Sequence, residues 1–312
     1  MAEKSNTMVP VYNSTKTTNG GEVLLLPFTE DHKPQFPPIV SSYNDKIRPI
    51  LDAVDKLRRL KVTQEGIPLP AIVVVGDQSS GKSSVLESLA GISLPRGQNI
   101  CTRVPLIMRL QNHPDLVPEL LLEYQKKSVT IMEESQISDA IDKATVEIAG
   151  DNKGISNVPL TLVVKKNGVP NLTMIDLPGI ARVAVGDQPE NIYEQISDMI
   201  MEHIKPEESI ILNVLAANVD FATCESICMS RRVDSTGQRT LAVVTKSDQS
   251  PEGLLEKVTS NDVNIGLGYI CVRNRIKDET YEEARMQEAT LSNSPIVVQD
   301  GQVHYRYSCI GT

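Results

Sequence analysis

Eight residues constrain this chain more than any others: Gly76-Asp77-Gln78-Ser79-Ser80-Gly81-Lys82-Ser83, which fit the pattern GxxxxGK[ST]. They lie between PAIVVV (70–75), an uncharged run with β-branched residues, and SVLESLAG, a stretch of helical pattern. That strand-loop-helix setting gives the pattern its meaning. The glycines let the backbone wrap round phosphate oxygens with several N–H groups pointing inward. The helix that follows adds its positive end. Lys82 supplies a point charge for the β and γ phosphates, and Ser83 supplies a hydroxyl ligand for Mg²⁺.

The rest of the chain supports an α/β fold around that loop. ELLLEY (119–124), VPLTLVV (158–164), LTMI (172–175), SIILNVLA (209–216), TLAVVT (240–245) and YICV (269–272) read as strands. Arg103–Leu110 reads as a further strand. Residues 133–149 and 189–204 carry helical patterns, the latter with Ile192, Ile196, Met199 and Ile200 on one stripe. Strands that are apolar on both faces and alternate with helices imply a mostly parallel sheet covered on both sides, a three-layer sandwich. Asn167-Gly168 between the runs at 158–164 and 172–175 predicts a hairpin joining them.

Three further motifs follow at strand ends. Asp176-Leu177-Pro178-Gly179 closes LTMI. Alone it is an ordinary turn. Beside a phosphate loop, Asp176 reads as a carboxylate holding Mg²⁺ through water, and Gly179 as a backbone donor to a γ-phosphate. Thr245-Lys246-Ser247-Asp248 closes TLAVVT. A carboxylate at Asp248 accepts from guanine N1 and N2, donors that adenine lacks, so the motif favours GTP over ATP. Lys246 can lay its stem along the base and tie back to the phosphate loop. Thr102, between the first helix and the second strand, can complete the Mg²⁺ shell when a γ-phosphate is present.

Composition closes off other classes. The formal net charge is −9, which argues against broad nucleic-acid contact. The five cysteines include no CxxC pair and read as reduced thiols of a cytoplasmic protein. Cys224 and Cys228 fall four apart in a helical stretch, a spacing that would let them share a face. The four histidines form no HExxH motif. No run approaches the ~20 apolar residues that cross a bilayer.

Four segments are expected. Residues 1–41 form a polar, proline-rich, disordered tail, and 42–65 a leading amphipathic helix with a stripe of Ile47, Ile50, Leu51, Val54 and Leu57. Residues 66–292 form the nucleotide-binding domain, and 293–312 a divergent tail.

Taken together, these motifs resemble the dynamin superfamily of large GTPases, and within it the plant dynamin-related proteins of the Mx-like type. The matching text is LPAIVVVGDQSSGKSSVLESLAGISLPRG, TRVPL, DLPGI, VGDQP, GQRTLAVVTKSD and GYICVRNR, with IRPILDAVDKLR resembling the helix that leads into the GTPase domain. The resemblance implies hydrolysis of GTP to GDP and phosphate with Mg²⁺, assisted by pairing of two GTPase domains. It places Gln78 and Ser79 where water is oriented and a K⁺ or Na⁺ ion is held, with Gly97 and Asn99 in the neighbouring loop. Ser84 extends the phosphate-loop set. Asp220 matches a residue used across the dimer, and Asn274 and Arg275 match the loop that packs on the guanine. Asn99 stands where the family pattern has glycine, and no stalk follows. The implied partners are a second copy or full-length dynamin-related proteins, and the alternatives to an active enzyme are a GTP/GDP-binding module with little hydrolysis that pairs with or blocks them, or a non-functional truncation. Association with membranes, microtubules or the cytoskeleton is implied by the resemblance alone.

Overall fold

The computed structural model describes residues 71–95, 102–115, 117–150, 154–167, 169, 171–184, 186, 188–249, 253–259, 263, 265–274, 279 and 283. The expected tails and leading helix, and also Gly97, Asn99 and Arg275, lie outside these residues.

Among the described residues nine strands form one sheet: β1 (Ile72–Val75), β2 (Leu106–Asn112), β3 (Glu119–Tyr124), β4 (Lys127–Ile131), β5 (Leu160–Lys166), β6 (Leu172–Asp176), β7 (Ile210–Ala216), β8 (Thr240–Thr245) and β9 (Tyr269–Cys271). Their order is β4-β3-β5-β2-β6-β1-β7-β8-β9. The run β6-β1-β7-β8-β9 is parallel throughout. β2 is parallel to β5 but antiparallel to β6. The mostly parallel α/β sandwich expected from the strand pattern is therefore what forms.

Helices α1 (Lys82–Ala90), α2 (Ile137–Ala149), α3 (Ile192–Ile204), α4 (Glu225–Val233) and α5 (Leu254–Thr259) cover the sheet. Alternation along β1 shows the layering. Val74 belongs to one apolar cluster with Val85 and Leu86 of α1 and Ile137 and Ile141 of α2. Its neighbours Val73 and Val75 point the other way, onto Ile196, Met199 and Ile200 of α3. A third cluster joins Leu215 and Val244 to Phe221, Ile227, Leu254 and Val258. Among the described residues no helix is long and apolar enough to cross a membrane.

Two local expectations fail. β5 and β6 do not form a hairpin, because β2 lies between them and pairs with both. An Asn-Gly turn reverses the chain, but strand pairing is decided by the whole sheet, so the two arms stand about two strand spacings (roughly 10 Å) apart. The hairpin that does form joins β3 to β4 through Gln125 and Lys126, whose φ angles of 44° and 67° belong to a type I′ turn. The four-residue spacing of Cys224 and Cys228 also does not give them a common environment. Cys224 is the extended residue that starts α4 and is buried, whereas Cys228 is exposed.

Arg239 ties the lower end of this assembly together. Its Nη1 donates to Ile204 O at 2.8 Å and Ser209 O at 2.9 Å, and its Nη2 to Val233 O at 3.0 Å. One guanidinium thus satisfies carbonyls at the ends of α3 and α4, groups that helices leave without internal partners.

Candidate functional site

The phosphate loop leaves β1 at Gly76 and enters α1 at Lys82. Two residues within it take left-handed backbone: Ser79 at φ 62° and Gly81 at φ 97°. Glycine adopts this conformation freely, whereas serine does so at a cost, so Ser79 is held there by its surroundings. One holder is visible: Lys246 Nζ donates to Ser79 O at 3.0 Å. A second tie lies next to it, where Thr245 Oγ1 donates to Ser80 O. The end of β8 thus clasps the loop from one side.

The DLPG segment clasps it from the other. Gln78 N donates to Ile180 O at 3.1 Å, and Ile180 N to Gly76 O at 3.2 Å. Gly179 has no room for a side chain. A Cβ there would stand 2.8 Å from Gln78 Cα and 2.9 Å from Lys82 Nζ. Lys82 is buried, and its ammonium donates to Gly76 O at 3.1 Å and Asp77 O at 3.2 Å.

Ser83, Thr102 and Asp176 meet at one point. Ser83 Oγ donates to Asp176 Oδ2 at 3.0 Å, and Thr102 Oγ1 donates to the same oxygen at 2.9 Å. Topology explains the meeting. β2 runs antiparallel to β6 with Leu106 opposite Asp176, so the segment just before β2 lies at the C-terminal end of β6. Asp176 Oδ1 is buried with no hydrogen-bond partner among the described residues. Burial pushes the Asp176 carboxyl above its ordinary value, while Lys82 and the Thr102 and Ser83 hydroxyls pull against that. A cavity of about 20 Å³ borders all three side chains, enough for one water-sized sphere. An unpartnered buried carboxylate oxygen with two hydroxyl oxygens is a donor set suited to a hard divalent cation such as Mg²⁺.

The remaining expected residues are distributed around the loop. Gln78 and Ser79 are exposed and line a cleft of about 220 Å³ with Asp77, Asn218, Val219 and Lys246. Ser84 is half-buried in the first turn of α1. Asp248 is half-buried in the short turn Ser247–Gln249, which Ser247 Oγ fastens to Val272 O at 3.0 Å. Asn274 Nδ2 lies 2.8 Å from where a Cβ on Gly81 would stand, so the segment after β9 reaches the phosphate loop. Asp220 is exposed and caps the turn Phe221–Thr223, its Oδ1 accepting from Ala222 N at 3.0 Å.

The phosphate-loop residue Asp77 and several residues outside the motifs complete the surroundings of the site. Asp77 has its Oδ1 buried without a hydrogen-bond partner among the described residues. Burial raises its carboxyl, opposed by Arg182 and Lys82 and reinforced by Glu225. Cys224 lines the cleft, but burial together with the charges of Asp77 and Asp220 pushes its thiol up to about 11, so it is not a nucleophile at neutral pH. Arg182 follows the DLPGI text by two positions, and that proximity was the one sequence signal for it. Lys257, from a six-residue helix, carried none.

A sequence profile of the Dynamin family matches residues 72–247. Putative dynamin-related protein 4A of Arabidopsis thaliana is 71% identical over 254 residues, covering 81% of this chain and 84% of that protein. Dynamin-related protein 4C of the same plant is 72% identical over 254 residues, covering 81% of this chain but 38% of that protein. Interferon-induced GTP-binding protein Mx of Ctenopharyngodon idella is 44% identical over 261 residues, covering 79% of this chain and 40% of that protein. The chain therefore spans well under half the length of the last two.

Proposed function

Since this chain belongs to the Dynamin family, we propose that it binds GTP with Mg²⁺ and hydrolyses it to GDP and phosphate. The observation that carries this reading is the convergence of Ser83 and Thr102 on one oxygen of Asp176, while the other is buried with no hydrogen-bond partner among the described residues.

Each residue has a task that its position supports. Lys82 brings its ammonium to the β and γ phosphates, leaving the two loop carbonyls it now bonds. The inward N–H groups of 76–83 receive the α and β oxygens. Gly179 offers a backbone donor at the γ position, where its lack of a side chain admits close approach. Ser83, Thr102 and Asp176 hold the metal, which when bound offsets the charge that develops on the phosphoryl oxygens. Asp248 selects guanine, Lys246 lines the base, and Asn274 with Arg275 covers it.

The family resemblance gives Gln78 the task of orienting the attacking water and Ser79 that of holding a K⁺ or Na⁺ ion; both being exposed on the cleft supports this. Faster turnover follows when two copies meet through the face that carries Gln78, Ser79 and Asp220. All three are exposed and on one side of the phosphate loop or in the turn after β7, which supports such a pairing.

Asn99 favours a second reading. A side chain where the pattern has glycine crowds an ion site, which leaves a module that holds GTP or GDP with little turnover. One experiment separates the two: phosphate release measured over a range of protein concentrations with Na⁺, K⁺ or neither. Turnover per molecule that rises with concentration and responds to K⁺ supports assisted hydrolysis. Negligible turnover with intact GTP binding supports the module.

A further inference from the structure

The turn that carries Asp220 is gripped from two sides by cations that come from opposite ends of the nucleotide site. On one side, Lys257 Nζ donates to Ala217 O at 3.0 Å and Val219 O at 3.1 Å. The same ammonium stands 5.2 Å from the centre of the Phe221 ring. Lys257 belongs to α5, the helix that follows the Thr245-Lys246-Ser247-Asp248 motif. On the other side, Arg182 Nη2 donates to Thr223 O at 2.8 Å and lies 3.8 Å from Glu225 Oε2. Arg182 is two residues beyond Ile180, whose backbone is bonded in both directions to the phosphate loop.

The turn itself is internally stiff. Asp220 caps it through Ala222 N, and Asp220 O accepts from Thr223 Oγ1 at 2.8 Å. Phe221 is buried against the core and stacks on Tyr269 at 5.7 Å between ring centres. The two ends of the turn are therefore the places where outside forces act, and a cation sits at each. The Arg182 side chain is 58% exposed, so its hydrogen bond to Thr223 O and the nearby Glu225 carboxylate, rather than packing, hold it. Glu225 is fixed independently by Tyr193 OH at 3.1 Å.

We propose that Lys257 and Arg182 are positioning residues that set the Asp220 turn for pairing with a second copy of this chain. Lys257 anchors the turn to the base-recognising side, and Arg182 links it to the segment that contacts the γ-phosphate. A shift of Gly179 and Ile180 on phosphate contact moves Arg182, and with it the Thr223 end of the turn. Neither residue touches substrate. The proposal rests on the reading that Asp220 acts across a dimer.

The test uses the full chain and two readouts. The first is phosphate release against protein concentration. The second is amide hydrogen exchange over 217–225 with GDP alone and with GDP plus aluminium fluoride. Lys257→Gln and Arg182→Gln are expected to lose concentration-dependent acceleration by roughly fivefold, in the range reported for residues that couple sites. Exchange over 217–225 rises in both, and in Arg182→Gln it no longer responds to aluminium fluoride. Lys257→Arg and Arg182→Lys keep a donor and a charge and recover most of both signals. Arg232→Gln, which removes another cation near Glu225 without touching the turn, behaves as wild type. Melting temperature and GDP affinity stay near wild type throughout, which a merely structural role would not predict. Gln variants with wild-type acceleration and wild-type exchange overturn the proposal. If the wild-type rate is independent of concentration, the dimer reading falls, and the exchange data alone decide whether the grip exists. If Lys257→Gln does not fold, Arg182→Gln against Arg182→Lys decides.

Discussion

Thr245 Oγ1 donates to the carbonyl oxygen of Ser80 at 2.5 Å, joining the end of β8 to the middle of the phosphate loop. The same hydroxyl lies 3.2 Å from Leu215 O on β7. Three segments far apart in sequence thereby share one side chain. The distance between the place for a base and the place for phosphates is set by the sheet, not by a ligand.

Base choice is the first consequence to test. Asp248→Asn replaces a pure acceptor with a side chain that also donates. Xanthine carries a carbonyl where guanine carries its amino group, so the variant pairs with xanthosine triphosphate. Competition binding should show preference for GTP over XTP falling by about a hundredfold or more, within what a hydrogen-bonding site can discriminate. Unchanged preference would remove Asp248 from base recognition.

Lys82→Ala should weaken GTP binding by about a hundredfold, the effect of losing charge-assisted hydrogen bonds worth about 1.5–3 kcal/mol each. Gly179→Ala tests the same contact from the opposite wall. Its methyl would stand 2.9 Å from Lys82 Nζ and 2.8 Å from the Gln78 backbone, so it displaces the lysine or the loop. Titration with a fluorescent GTP analogue measures both, and a Gly179→Ala variant with wild-type affinity would show that the crowding is relieved.

Asp176→Asn separates function from stability. Burial raises the Asp176 carboxyl above the ordinary carboxylate range, with Lys82, Thr102 and Ser83 opposing. A raised carboxyl takes up protons in the folded chain before it does so unfolded. Its charging therefore costs stability as pH rises through the folded pKa, and the cost is absent below the unfolded value. The neutral amide removes that cost, and without Mg²⁺ the variant should melt about 2–4 °C higher at neutral pH. Mg²⁺-dependent turnover should fall roughly a hundredfold, the several kcal/mol that a Lewis-acid ion supplies. For the wild type, Mg²⁺ binding should weaken as pH falls toward that raised pKa. Calorimetry across pH checks both signs, and a destabilised variant would reverse the argument.

Arg239→Ala acts far from the nucleotide. It strips donors from Ile204 O, Ser209 O and Val233 O together. A fall in melting temperature of about 5–10 °C is expected, with GTP affinity little changed in the molecules that remain folded.

What could be read in advance follows from where the information lies. β1, β7 and β8 announce themselves because uncharged apolar runs are buried on both faces. β4 does not, since four of its five residues are exposed and KSVTI shows no stripe. The Asn167-Gly168 turn misled because local turn chemistry says nothing about which strand fills the space between its arms. The phosphate loop and the Asp176 and Asp248 motifs were legible from residue types at fixed spacing. Lys257 and Arg182 were not, because what they grip are backbone carbonyls, which any sequence possesses.

The insertion of β2 between β5 and β6 bears on Thr102. An arm that must reach a phosphate and withdraw needs a firm post at its base. Seven residues of β2 are bonded to β5 on one flank, and five to β6 on the other. The downstream end of that arm is therefore bolted to the middle of the molecule rather than to a rim, which fixes the level at which Thr102 comes alongside Asp176.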